Sequence, residues 1–97
     1  MASLKHYLNS VIGEAMAEAT QSESCNANVI TSSKPGFGDY QANGIMSEAK
    51  RHRMKPRDLA QQVIISIEQS LPSLIDRLEI GGPGFINIFL SDREIRT

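Results

Sequence analysis

Ninety-seven residues, 40% apolar and 22% charged, suffice for one domain with one modest core. A net charge of −1 excludes a bulk polycation, so any contact with nucleic acid must be local. No run approaches the ~20 apolar residues of a membrane span, and Asn9, Ser10, Glu14 and Glu18 break up any signal peptide.

Cys25 is the single cysteine, which rules out an internal disulfide and suits a reducing cytoplasm. One Cys with the distant His6 and His52 does not make a zinc site by itself, so no metal is expected. The charge is segregated. Residues 1–49 carry two Lys against five acids, −3. Residues 50–57 carry Lys50, Arg51, Arg53, Lys55 and Arg57, +5. Residues 58–97 carry three Arg against six acids, −3. A basic cluster therefore sits between two acidic segments.

In chain order, Leu4, Leu8, Val11, Ile12, Ala15, Met16 and Ala19 recur at helical spacing. They predict an amphipathic helix capped at Ser3 and ending near Thr20. The polar stretch 21–28 is a connection. The β-branched Val29-Ile30-Thr31-Ser32 reads as a short strand. Lys34 to Asp39 is a turn-rich loop, and Asp39 is placed to cap a second helix with Ala42, Ile45, Met46 and Ala49 inward. That helix runs into the basic cluster and stops before Pro56. Pro56 suits the first turn of a third helix, with Leu59, Ala60, Val63, Ile64, Ile67 and Leu71 as its buried stripe and Leu71-Pro72 as its end. Leu78 and Ile80 alternate with Arg77 and Glu79 in a strand, and Gly81–Gly84 turns it back into Phe85–Leu90 as a hairpin. Ser91 with Glu94 forms a capping box that announces a further helix. Residues 1–90 are thus expected to form the domain, and 91–97 to start a helix leading to a larger body. The fold class is α+β, a small antiparallel sheet with three helices on one face.

The last strand sorts into two faces. Ile86, Ile88 and Leu90 form an aliphatic core face, and Phe85, Asn87 and Phe89 form the other. Two rings around an amide match what reads an unpaired RNA base, by stacking and by edge hydrogen bonds. The plainer alternative is that they cover the sheet or pack on a neighbouring domain. Phe89, further from the turn, suits that structural role. The basic cluster, with Lys50, Arg53, Lys55 and Arg57, can clamp phosphates or can simply complement a helix end. The glycines at 36, 38 and 44 lack dinucleotide-binding spacing, and no nucleophile motif or paired carboxylate points to catalysis.

Two separated segments carry a resemblance: Phe37-Gly38-Asp39-Tyr40-Gln41-Ala42-Asn43 and Gly82-Pro83-Gly84-Phe85-Ile86-Asn87-Ile88. Together with the opening helix and Met54-Lys55-Pro56-Arg57, they make the chain resemble the N-terminal appended domain of arginyl-tRNA synthetase over nearly its full length. The resemblance implies a non-catalytic domain that docks on the corner of the arginine tRNA and reads its D-loop, in a cytoplasmic enzyme. It implies that Phe85 and Asn87 contact RNA and that backbone at Gly82 and Gly84 comes close to the loop. Some members have Asn where this chain has Gly82, and Gln where it has Asn87. The resemblance further implies a catalytic domain elsewhere in the parent chain that uses ATP and magnesium. No cofactor, membrane or DNA is implied for this piece. The competing reading is a protein-interaction or structural module that uses the aromatic face.

Overall fold

A computed structural model describes residues 4–32, 38–69 and 75–91. Helix α1 runs Leu4–Thr20 and buries Leu8, Ile12, Ala15 and Met16, the stripe its spacing predicts. The Thr20 hydroxyl donates back to the Met16 carbonyl at 2.9 Å as the helix closes. Strand β1 follows at Val29–Thr31, β2 at Tyr40–Ala42, helix α2 at Gly44–Arg51 and α3 at Pro56–Glu68. The hairpin β3 (Ile75–Gly81) and β4 (Phe85–Leu90) completes the order. The Ser3 cap, the Leu71-Pro72 helix end and the helix start at 92–97 lie outside the described residues.

The fold is α+β as expected, the described residues forming three helices and a four-stranded antiparallel sheet. One strand was not anticipated. The residues read as the start of the second helix form β2, and Asp39 caps no helix. Its backbone N–H donates to the Ile88 carbonyl at 2.8 Å, and its carboxylate accepts the Leu90 N–H at 2.9 Å. The physical reason lies in β4, which carries backbone donors and acceptors on both edges that must be paired. β3 serves one edge, and Asp39 with Tyr40–Ala42 serves the other, giving the order β1-β2-β4-β3. α2 therefore starts later, at Gly44, whose N–H goes to the Ala27 carbonyl at 2.8 Å.

The register sorts the sheet into two faces. Val29, Ala42, Ile86 and Ile80 align across the strands facing the helices, as do Tyr40, Ile88 and Leu78. Ile86 and Ile88 meet Leu8, Ile12, Met16, Ile45, Leu59 and Val63 in the core, all fully buried. A register shift between Ile75 and Arg77 lets Ile75 and Leu78 both face inward although they are three positions apart. On the outer face the aligned row is Ile30, Gln41, Asn87 and Glu79.

Candidate nucleic-acid interface

The β3–β4 turn is built for close backbone approach. Gly82 and Gly84 have φ of +48° and +150°, and the Gly84 N–H closes the turn on the Gly81 carbonyl at 3.1 Å. The half-buried Phe85 ring lies across the turn, so a Cβ at Gly82 would come within 2.6 Å of its Cε2. A Cβ at Gly81 would meet both that ring and Asn87 Nδ2. At Gly84, a Cβ would collide with Pro56, and its carbonyl carbon would lie 2.9 Å away. The glycines let the ring fold onto the turn and let the turn dock on the first residues of α3.

That docking joins two features that are far apart in sequence. Arg57 Nη1 donates to the Gly82 carbonyl at 2.6 Å, bringing one cation of the basic cluster onto the glycine turn. Lys55 is the residue preceding α3, Arg53 takes a left-handed backbone with φ +59°, and Lys50 lies in the last turn of α2. All four are exposed. Among the described residues no carboxylate pairs with any of them. Arg51 differs. It bonds Glu48 Oε1 at 2.8 Å and donates to the Ser24 carbonyl, so its charge is engaged within the fold.

Asn87 departs from the picture of an open amide. It lies on the outer face as alternation predicts but is only 6% exposed. Its Oδ1 accepts the Gln41 Nε2–H at 3.0 Å from β2. Phe89 is half-buried, with the Arg77 guanidinium 3.9 Å above its ring centre. Arg77 also bonds Glu79 at 2.8 Å. The outer face thus has an engaged end, at Phe89 and Arg77, and a turn end where Phe85, the glycines and Arg57 converge. The turn end can stack a planar group, offer backbone polar atoms and neutralise a phosphate.

A second cluster escaped the sequence reading, which counted only Cys and His. Cys25, Glu48 and His52 each place one donor atom within 4.8 Å of the others. Glu48 and His52 are four positions apart at the end of α2 and therefore share a face, the one sequence signal that pointed there. Burial pushes the Glu48 pKa up, but hydrogen bonds from Asn26 N–H and Arg51 outweigh it, and the net direction is below the usual 4.5.

Comparison with known proteins identifies the family and the fold. The family described as "Arginyl tRNA synthetase N terminal domain" matches residues 3–90. The chain is 50% identical over 88 residues to an arginine–tRNA ligase of Histophilus somni (strain 2336), covering 91% of this chain and 15% of that protein. It is 45% identical over 95 residues to an arginine–tRNA ligase of Haemophilus influenzae (strain PittEE), covering 98% and 16%. The chain thus spans about one-sixth of the length of these relatives. In fold it is similar to the arginyl-tRNA synthetase of Plasmodium falciparum, with TM-score 0.81 at 19% identity over 98% of this chain and 17% of that one. It is likewise similar to the Thermus thermophilus arginyl-tRNA synthetase, with TM-score 0.76 at 22% identity over 96% and 15%. With the family match covering most of its length, the chain belongs to the arginyl-tRNA synthetase N-terminal domain family.

Proposed function

We propose that this domain holds the D-loop of an arginine-accepting tRNA and positions the tRNA for aminoacylation by a catalytic domain of the same parent chain. The observation that carries the reading is the convergence at the hairpin turn. Phe85 folds onto Gly81–Gly82, and Arg57 is bonded to the Gly82 carbonyl beside it. In this reading Phe85 stacks a base of the loop, Asn87 supports or reads its edge, and the exposed backbone at Gly82 lies against the RNA. Gly84, expected from the sequence to come close to the loop as well, is buried against Pro56 and shapes the turn. Lys50, Arg53, Lys55 and Arg57 contribute phosphate contacts. The domain itself performs no chemistry. ATP and magnesium are used by the parent's catalytic domain, in the cytoplasm.

The net charge limits affinity. At −1 overall, the domain lacks the broad electrostatic contribution that drives tight RNA binding. The expected behaviour is weak binding to tRNA that is detectable at low salt and lost as salt rises. In the full-length parent enzyme, Phe85→Ala removes a stacking contact of about 1–3 kcal/mol, or roughly 5- to 150-fold in tRNA affinity. Arginine-dependent ATP chemistry changes much less. Unchanged tRNA kinetics in both Phe85→Ala and Asn87→Ala would sink this assignment. Retained tRNA kinetics with loss of a bound protein partner would favour the interaction-module alternative.

A further inference from the structure

The triad Cys25, Glu48 and His52 plays no part in the proposed RNA contacts. Its donors come from two segments. Cys25 belongs to the connection between α1 and β1, and Glu48 and His52 belong to the end of α2. His52 Nε2 is shielded from solvent and makes no hydrogen bond, and it faces Glu48 Oε1 at 3.9 Å. A buried nitrogen without a partner is costly unless something binds it.

We propose that Cys25, Glu48 and His52 form a binding site for a borderline-soft divalent cation, Zn2+, which pins the 21–28 connection to the end of α2. The donor chemistry fits: thiolate, imidazole and carboxylate are the three ligand types zinc takes, and three protein ligands leave a fourth position for water. The surrounding groups already orient two of the ligands. Glu48 Oε2 is held by the Asn26 N–H at 2.9 Å. The hydroxyl of Ser22 lies 3.4 Å from the Cys25 sulfur, where it can donate to a thiolate. The donors lie within 4.8 Å of one another, and ligation requires them to draw together around the ion.

The charges also balance. Without metal, the Glu48 carboxylate is offset by Arg51, bonded at 2.8 Å. With metal, the Cys25 thiol releases its proton to solvent, and thiolate plus carboxylate neutralise the dication. Arg51, 60% exposed, is then free to swing into solvent.

The test uses Zn2+ and Co2+ added to the purified, reduced 97-residue chain and to the full-length parent. Zinc affinity is measured by competition with a chromophoric chelator, and cobalt ligation by its thiolate charge-transfer absorption. The expected result is one-to-one uptake, a cobalt–thiolate band and a zinc-dependent rise in Tm. Cys25→Ser and His52→Ala should each weaken zinc by roughly 10–100-fold or more, since even outer-shell changes cost that much. His6→Ala should change nothing. Circular dichroism of each variant confirms that it folds. If a variant is unfolded, the wild-type cobalt spectrum decides alone: a thiolate band with d–d absorption of tetrahedral intensity supports the site. Absence of the band, or equal zinc affinity in wild type and folded variants, overturns it.

Discussion

Asn87→Ala offers the sharpest separation of structure from recognition. Asn87 is 6% exposed, and its Oδ1 accepts one bond from Gln41 at 3.0 Å. A neutral hydrogen bond of this kind contributes about 0.5–1.5 kcal/mol net. Gln41 is half-buried, so its orphaned amide can reach water and adds little further penalty. The expected destabilisation is therefore about 1 kcal/mol, which in a domain of this size lowers Tm by roughly 4–8 °C. Gln41→Ala breaks the same bond and should lower Tm by a similar amount. The double variant should then lose less than the sum, with a coupling of about 0.5–1.5 kcal/mol.

The two variants part on RNA. Gln41→Ala leaves the Asn87 amide on the sheet, whereas Asn87→Ala removes it. If Asn87 contributes an edge contact, Asn87→Ala should weaken tRNA binding by about 2- to 12-fold beyond Gln41→Ala. Thermal unfolding by circular dichroism gives the stability arm, and low-salt titration with labelled tRNA gives the binding arm. Equal tRNA binding in both variants would show that Asn87 acts only through the fold. Unchanged Tm in both would refute the hydrogen-bond reasoning itself.

Asp39→Ala removes the acceptor of the Leu90 N–H and should cost about 1–2 kcal/mol in denaturant unfolding, whereas Asp39→Asn keeps an acceptor and should lose clearly less. Gly84→Ala forces a side chain onto a +150° φ and against Pro56, and should destabilise by more than about 1 kcal/mol in the same assay. Arg57→Ala loses the exposed bond to the Gly82 carbonyl, so it should cost about 0.5–1 kcal/mol of stability and reduce the salt slope of tRNA binding by about one, read from titrations at several salt concentrations. Glu48 has a depressed folded pKa, so its stabilisation is present above the ordinary carboxylate range and is lost as pH falls through the folded value. The stability gap between wild type and Glu48→Gln, followed by denaturant unfolding from neutral to acid pH, should therefore be widest at neutral pH and shrink in acid.

What was legible in the sequence tracks the range over which each signal acts. α1 and α3 announce themselves because a buried stripe repeats over several turns, and Pro56 marks the start of α3. The hairpin follows from a glycine-rich turn between alternating segments. β2 was missed because three residues cannot establish a period, and because Asp serves a strand N–H as readily as a helix N–H. The same limit explains Asn87. Alternation assigns a side chain to a face but says nothing of its depth, which depends on neighbours from other strands. Gln41 is 46 positions away in sequence and closes over the amide only because β2 exists. One missed strand thus hid both the role of Asp39 and the burial of Asn87. At the turn, the glycines in the sequence foretold the hairpin, but not that Arg57, 25 positions earlier, would bond the Gly82 carbonyl. The contact bears on the proposed RNA recognition. A carbonyl that accepts from a guanidinium still has a second lone pair, and a guanidinium that donates from Nη1 still has other N–H groups. The turn can therefore present an acceptor and a cation to the same nucleotide, with the Phe85 ring beside them, without breaking the contact that holds it to α3.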